Sequence, residues 1–336
     1  MFLLILTLGI LFGAVLQYAR LNRYNTISGL AVLSDLTVAK ALALAVGIGV
    51  ILLNIEIALG LATYHVKPFI AVGIIAGGFI FGSGMAILGY CPGTMAVSLG
   101  EGSLDALTGI TGGLAGGYVF SILFPHIQTF LGPDLGKISL DSLIENRIVF
   151  FIFTLLIGLM LILLAFRMHK MDNKSDNKWV VSGIALAVLN LFVFSSALTN
   201  RPIGASTSYP YLADILTGST SNTYFTNIET PGHWELIFLS GAFLAGLIFS
   251  LIKKEFRLTL IHENWQKYYG TNKLKRIIWS FTGGFILIFG ARMAGGCTSG
   301  HILSGGMQLA LSSFVFAGFV FAGLLLTGKL FYKKQA

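Results

Sequence analysis

The sequence predicts an all-α polytopic membrane protein with about nine transmembrane helices and an inverted-topology internal repeat. Of the 336 residues, 55% are hydrophobic and 11% are charged, whereas a soluble globular chain carries about 25% charged residues. A helix needs about 17–25 apolar residues to cross a bilayer. Nine apolar stretches meet that length, and they cover residues 2–19, 39–63, 69–88, 103–124, 147–166, 179–199, 234–252, 277–294 and 308–328.

The composition also excludes several classes of function. A water-soluble enzyme does not fit so few charges, and the net charge of +8 does not indicate nucleic-acid binding, because the basic residues lie in short loops. The two cysteines cannot form a disulfide framework and lack a CxxC spacing. The N-terminal apolar run has no charged leader and no small-residue cleavage site, so we interpret it as a retained span.

The placement of lysine and arginine predicts the orientation, because cytoplasmic loops carry an excess of both. With the N-terminus outside, only Lys67, Lys137, Arg147 and Arg201 fall in outer segments. The cytoplasmic segments then contain Arg20, Arg23, Lys40, Arg167, Lys170, Lys174, Lys178, Lys253, Lys254, Arg257, Lys267, Lys273, Lys275, Arg276, Lys329, Lys333 and Lys334. We therefore predict an outer N-terminus and a cytoplasmic C-terminus in a bacterial inner membrane.

An internal repeat becomes visible when Cys91 is placed over Cys297, at an offset of 206 residues. GGFIFGSGMAILGYC (77–91) then lies over GGFILIFGARMAGGC (283–297) without a gap, and 23–36 resembles 201–216. The predicted division is a first repeat at 1–124 with spans one to four, a connector at 125–178 with span five, and a second repeat at 179–336 with spans six to nine. An odd connector turns the second copy over, as in many transporters with a midplane substrate site.

Two motifs interrupt apolar spans, GYCPGT (89–94) and ARMAGGCTSGHILSGG (291–306). The helix-breaking residues are Gly89, Pro92 and Gly93 in the first motif, and Gly295, Gly296 and Gly300 in the second. Broken backbone at membrane depth has to be buried in protein or line a polar cavity. Short helices are expected to restart near Thr94 and near Ser299–His301, where free N–H groups attract anions.

Each break carries one thiol, a soft group with a weak donor and a weak acceptor. Such a group suits a polarizable sulfur or selenium anion, and it can form a persulfide if its pKa is lowered. The alternative is that each cysteine is an ordinary small buried residue. Matching positions in both repeats favour a functional role for Cys91 and Cys297.

These motifs resemble the YeeE/YedE family of sulfur-compound membrane transporters, whose characterised members import thiosulfate, over nearly the whole chain. The resemblance implies an hourglass-like inverted repeat in which Cys91 and Cys297 contact thiosulfate through S–H···S hydrogen bonds. Family members of this kind carry a further cysteine after the first span. Residues 20–29 here contain none, and Asn22 or Asn25 occupies that neighbourhood, which leaves selenium and other sulfur compounds open as substrates.

Other polar residues are candidates for the substrate pathway, each with a structural alternative. Ser28, Ser206, Thr207 and Ser208 offer hydroxyls, or they cap short helices. Thr298 is a further candidate within the second cysteine motif. Arg292 is a cation inside a predicted span. It either attracts an anion, or extends to the membrane interface, or pairs with an acid, and Glu56 is the candidate acid. His301 titrates near neutral pH or caps a helix, and Tyr90 binds substrate or anchors packing.

The sequence thus predicts a transporter and not an enzyme, and no cofactor or metal is expected. The predicted substrate is a small sulfur-containing anion, with thiosulfate as the leading candidate. Substrate enters an outer cavity formed by 200–216 and 295–301, then passes Cys297 and Cys91. The rival hypotheses are transport of a selenium or other sulfur compound, a membrane thiol oxidoreductase or persulfide carrier, and a non-transporting membrane subunit. The expected partners are the anion and the lipid bilayer, with a soluble cytoplasmic sulfur-transferase protein as a further candidate.

Overall fold

The fold is built from helices of very different lengths. The computed structural model describes residues 1–172 and 176–333, so the predicted cytoplasmic Lys174 and Lys334 lie outside the described residues. Within them, β structure is confined to isolated bridges. The helices are α1 (Phe2–Tyr18), α2 (Tyr24–Ala31), α3 (Thr37–Ala58), α4 (Ala71–Leu88), α5 (Pro92–Gly100), α6 (Leu104–Ile127), α7 (Leu140–Leu143), α8 (Arg147–Met171), α9 (Lys178–Phe194), α10 (Ser208–Thr217), α11 (Thr223–Ile252), α12 (Glu263–Tyr269), α13 (Lys273–Met293) and α14 (Leu311–Phe331), with a 3-10 turn at Gln128–Leu131 and a π-helix at Ser299–Gly305.

The prediction of an all-α polytopic membrane protein is confirmed. Among the described residues, seven helical segments are long and apolar enough to cross a membrane, including Ala71–Gly100, which joins α4 and α5. The two other predicted spans correspond to the shorter apolar helices α1 and α9, so the number nine stays a prediction. The helix that contains the seventh predicted span, 234–252, begins earlier than that span. Helix α11 begins at Thr223 because the Asn222 carboxamide oxygen caps it, accepting a hydrogen bond from the Phe225 N–H at 2.7 Å.

The order of helices in the first part of the chain recurs in the second part. The series α1, α2, α3, α4, α5 and α6 corresponds to α9, α10, α11, α13, the π-helix and α14, with α8 between the two series. The packing partners are exchanged in the same way. The pair α4–α14 corresponds to α13–α6, and α1–α11 corresponds to α9–α3. This exchange is the pattern that a twofold relation between two repeats produces, while the exact division at 124 and 178 stays a prediction.

The matched helices α4 and α13 cross in opposite directions at the centre of this arrangement. A Cβ on Gly77 would lie 2.7 Å from the carbonyl oxygen of Gly290, and a Cβ on Gly84 would lie 3.0 Å from that of Gly283. Gly77 and Gly84 are the sequence matches of Gly283 and Gly290. The repeated glycines therefore let two antiparallel backbones approach, and antiparallel matched helices are what an inverted repeat requires.

Candidate functional site

Two matched glycines end the helices that lead into the cysteine motifs. Gly89 ends α4 with φ +80°, and Gly295 follows α13 with φ +72°. These values lie in the left-handed region, which favours glycine because it has no Cβ. The repeat predicted from sequence thus places the same backbone reversal two residues before each cysteine.

Cys91 stands directly before α5 and caps it. Its N–H donates to the Thr94 hydroxyl at 2.8 Å, and that hydroxyl donates back to the Cys91 carbonyl oxygen at 3.0 Å. The thiol in turn accepts from the backbone N–H of Thr94. Pro92 occupies the first helical position, where its missing N–H costs nothing. These contacts hold the Cys91 sulfur at the N-terminus of a helix, the electropositive end.

Cys297 occupies the matching break in the second motif. Its sulfur lies 3.2 Å from the Ser299 hydroxyl oxygen, and its carbonyl oxygen accepts from the His301 N–H at 2.8 Å. The His301 ring is fully buried. Its Nε2 lies 2.8 Å from the Ala294 carbonyl oxygen, and its Nδ1 lies 3.1 Å from the Ser313 hydroxyl. His301 therefore braces the backbone before Cys297, which favours its structural alternative over direct substrate contact.

A cavity of about 70 Å³ brings the two motifs together. Cys91, Gly93 and Thr94 line it from one side, and Thr298 and Ser299 line it from the other. The remaining wall is apolar and includes Phe12, Leu16, Met85, Leu186, Val320 and Phe321. The site is thus a small chamber with mostly apolar walls, and the polar residues that line it all belong to the cysteine motifs.

A cluster of charged side chains, which we call the basic cluster, borders Cys297. It consists of Lys67, Arg201, Arg292 and Glu235, and the charge of Lys67 interacts with the other three and with Cys297. The Lys67 ammonium donates to the carbonyl oxygen of Gly295. A Cβ on Gly296 would lie 2.5 Å from the Lys67 Nζ, and one on Gly300 would lie 3.6 Å from it. These two motif glycines therefore make room for the lysine.

Arg292 is buried, with an exposed fraction of 8%, and is held by three hydroxyls. Its Nε donates to Tyr224 at 2.6 Å, and its Nη1 donates to Ser206 at 3.1 Å and to Thr207 at 3.0 Å. Ser206 and Thr207, whose hydroxyls were predicted to line the pathway, thus accept hydrogen bonds from the Arg292 guanidinium and position it. The proposed partner Glu56 was the wrong acid, since the acid whose charge acts on Arg292 is Glu235 of α11.

The environment of Lys67 alters its proton affinity. Burial, together with the positive charge of Arg292, lowers the pKa of the Lys67 ammonium from 10.5 to about 8. Burial disfavours a charged form, and a neighbouring like charge does the same. The basic cluster therefore loses one positive charge when the pH rises through about 8.

Tyr90 points away from the chamber. Its hydroxyl lies 3.2 Å from both carboxylate oxygens of Asp105 and 3.1 Å from His262 Nε2. Asp105 also accepts from Arg276 at 2.6 Å, and both of these side chains are fully buried. Among its two alternatives the structure favours an anchoring role for Tyr90, which links the first motif to a buried ion pair.

Asn25 and Ser28 are not brought to the chamber either. The Asn25 side-chain oxygen accepts from the Asn264 N–H at 3.1 Å, and the Ser28 hydroxyl accepts from the Asn264 side chain at 3.0 Å. Asn22, the other residue near the missing family cysteine, donates to the Ser98 hydroxyl of α5 at 3.1 Å. The polar segment after α1 therefore fastens α12 and α5.

Comparison with known proteins shows to which family the chain belongs. A family model described as sulphur transport matches residues 18–326. The chain belongs to this family of sulphur transporters. It is also 27% identical over 327 residues to a protein named thiosulfate transporter TsuA from Spirochaeta thermophila, covering 92% of this chain and 93% of that protein. Membership of the sulphur transport family, with the seven apolar segments, makes the chain a multi-pass membrane transporter and not an enzyme.

Several residues of this sulphur transporter's site were missed by sequence reasoning. The sequence alone indicates Lys67 and Arg201 only as outer-loop charges, and it does not single out Glu235 or Tyr224 as candidates. An acid within an apolar span is costly and indicates function, so Glu235 carried a usable signal. Tyr209, which donates to the carbonyl oxygen of Pro92, carried no such signal beyond its place in residues 201–216.

Proposed function

We propose that this chain imports thiosulfate through a pathway in which Cys297 and Cys91 contact the anion in turn. The observation that carries the proposal is the chamber in which both cysteine motifs face each other, next to the basic cluster. The name of the similar protein, thiosulfate transporter TsuA, supports the choice of substrate. Lys67 and Arg201 lie in segments predicted to be outside, and Glu235 and Arg292 lie at the outer ends of predicted spans. We therefore place the basic cluster at the entrance in a bacterial inner membrane, with the N-terminus outside and the C-terminus cytoplasmic.

The chemistry proposed for the chamber is hydrogen bonding and not bond formation. A thiol donates weakly and its sulfur accepts weakly, which suits the soft terminal sulfur of thiosulfate. The residues Thr298 and Ser299 line the same chamber, and their hydroxyls are suited to the anion's harder oxygens. Successive weak contacts favour conduction, because a site that binds too tightly does not release. A soluble cytoplasmic sulfur-transferase protein remains a candidate acceptor after release.

The experiment is uptake of radiolabelled thiosulfate by bacterial cells that lack their own thiosulfate importers. We expect the wild-type chain to restore uptake, and Cys91→Ala and Cys297→Ala each to reduce it at least about tenfold, the effect of about 1.4 kcal/mol on a barrier. Ser83→Ala is the control, because this hydroxyl bonds only within α4 and with Thr327. Membrane levels of every variant are measured by immunoblot.

Two outcomes decide between this proposal and its rivals. Wild-type uptake by both cysteine variants contradicts the assigned role of the thiols. Absence of thiosulfate uptake by a well-expressed wild-type chain contradicts the substrate, and direct uptake assays with labelled selenium and other sulfur anions then identify the alternative. A persulfide carrier would instead show a mass increase of one sulfur on Cys91 or Cys297 after exposure to substrate.

A further inference from the structure

We propose that Arg276 is a positioning residue for Cys91, because it fixes the end of the helix that leads into the first cysteine motif. The inference rests on the proposed function, since it concerns one of the two thiols on the proposed pathway. Arg276 lies in the first turn of α13, and its side chain is fully buried. It acts through the backbone of α4 and not by contact with the anion.

The last carbonyl groups of α4 are held by side chains from other parts of the chain. A helix ends with carbonyl oxygens that lack an intrahelical N–H partner, and cations are favourable at this electronegative end. The Arg276 Nη2 donates to the carbonyl oxygen of Leu88 at 2.8 Å, and its Nη1 donates to that of Ile87 at 3.4 Å. The Tyr332 hydroxyl donates to the carbonyl oxygen of Ala86 at 2.9 Å. Two side chains therefore hold three consecutive carbonyls at the end of α4.

Arg276 is itself fixed by aromatic rings and by a carboxylate. Its guanidinium carbon lies 4.4 Å from the centre of the Tyr24 ring and 4.8 Å from that of the Trp265 ring. Its Nε and Nη2 donate to the same carboxylate oxygen of Asp105 at 3.2 and 2.6 Å. The Tyr24 ring also occupies the space that a Cβ on Gly89 would need. A planar guanidinium suits this site, because it stacks on rings and donates in several directions at once.

The consequence for Cys91 follows from its position along the chain. Cys91 comes three residues after Leu88, and the left-handed Gly89 between them turns the backbone. A shift at the end of α4 therefore moves the Cys91 thiol relative to the rest of the chamber. Cys297 has a separate support in the buried ring of His301. A defect at the end of α4 is thus expected to reach one thiol and not the other.

The test measures the alkylation rate of each thiol by iodoacetamide in the purified full-length protein in detergent, with both cysteine peptides followed by mass spectrometry. The variant is Arg276→Gln. A buried acceptor that loses its donor is costly, and local opening exposes a thiol that the closed protein protects. We expect the Cys91 rate to rise at least about fivefold and the Cys297 rate to stay unchanged. Arg276→Lys keeps the charge and one possible carbonyl contact, so its Cys91 rate is expected to lie between the other two.

Tyr332→Phe provides a milder change that does not depend on the folding of Arg276→Gln. It removes the hydroxyl that holds the Ala86 carbonyl oxygen, so we expect the Cys91 rate to rise about twofold. Tyr268→Phe is the matched control, because its ring centre lies 5.2 Å from that of Tyr332. The Tyr268 hydroxyl has no hydrogen-bond partner among the described residues, and its removal is expected to leave both thiol rates unchanged.

Uptake of thiosulfate by cells gives the second readout. At equal membrane levels, we expect Arg276→Gln to lower the uptake rate at least about fivefold, and wild-type uptake by this variant would overturn the proposal. Equal rises in the rates of Cys91 and Cys297, or an unchanged Cys91 rate in both Arg276→Gln and Tyr332→Phe, would also overturn it. Because alkylation is measured without thiosulfate, a wild-type protein that moves no thiosulfate would refute the proposed function, while a selective rise at Cys91 would still support the role of Arg276.

Discussion

The Tyr209 hydroxyl donates a hydrogen bond to the carbonyl oxygen of Pro92 at 3.0 Å. This contact ties α10, which follows the Arg292-binding hydroxyls, to the helix that Cys91 caps. This hydrogen bond therefore connects the helices that carry the two polar parts of the site, the basic cluster and the chamber. Tyr209 is 4% exposed, so its hydroxyl has little access to other partners.

Removal of this contact is expected to impair transport more than folding. In Tyr209→Phe the Pro92 carbonyl oxygen loses a buried donor, at a cost of about 1–3 kcal/mol, and the Cys91 motif loses its tie to α10. We expect the uptake rate to fall several-fold. Tyr211→Phe is the control, because its hydroxyl meets His233 only at 3.4 Å. Equal uptake by the two variants, at equal membrane levels, would refute a role for Tyr209 in positioning the motif.

The lowered pKa of Lys67 predicts how the uptake rate depends on pH. Its pKa is lowered to about 8, so the ammonium is charged below that pH and neutral above it. Anion attraction by this residue is present at pH 7 and is lost as the outer pH rises through about 8. At subsaturating substrate, we expect uptake to fall several-fold between about pH 7 and pH 9.

Lys67→Arg supplies the control for the pH profile, because a guanidinium stays charged throughout this range. Its profile is expected to be flat between the same two pH values. If wild type and Lys67→Arg lose uptake in parallel, the titrating group is not Lys67.

The buried ion pair of Asp105 and Arg276 is expected to stabilise the fold and to take no direct part in transport. Both side chains are fully buried and 2.6 Å apart. Asp105→Asn leaves the Arg276 charge without its counter-ion, which costs about 3–5 kcal/mol for a buried pair. We expect a clear fall in the melting temperature of the purified protein. The exposed pair of Glu255 with Arg23 is the comparison, since Glu255→Gln should cost at most about 1 kcal/mol. Equal shifts for the two variants would contradict this account.

Glycine substitutions test the crossing of α4 and α13. A Cβ on Gly77 would meet backbone atoms of Gly290 and Ala294 at 2.7 and 2.8 Å, and such overpacking typically costs about 1–3 kcal/mol. Gly318 of α14 has no atom within 4 Å of a built Cβ, so Gly318→Ala should be neutral or slightly stabilising. Thermal unfolding of both variants measures the difference. A stable Gly77→Ala protein would show that the crossing tolerates a wider spacing.

Much of this architecture could be predicted because its signals are local. Apolar stretches are visible as runs, and the fixed offset between Cys91 and Cys297 revealed the repeat. Gly89 and Gly295 predicted breaks, and both have the left-handed backbone that only glycine adopts easily. The glycines matched between repeats proved to lie where α4 and α13 approach each other.

The basic cluster could not be predicted in the same way, because its members come from four distant segments. Pairing with Glu56 is one of the alternatives that the sequence leaves open for Arg292, yet its hydrogen-bond partners are Tyr224, Ser206 and Thr207. Sequence distance carries no information about such contacts. The contacts of Asn25 and Tyr90 could not be predicted for a similar reason, since their partners Asn264 and Asp105 are brought to them only by the packing of α12 and α6.

The central claim is that this chain alone moves thiosulfate past its two thiols. The most direct test is uptake of radiolabelled thiosulfate into liposomes that contain only the purified protein. We predict accumulation above protein-free liposomes for the wild type, and accumulation at the protein-free level for Cys91→Ala reconstituted at the same density. Equal accumulation by wild-type and Cys91→Ala liposomes would contradict the claim.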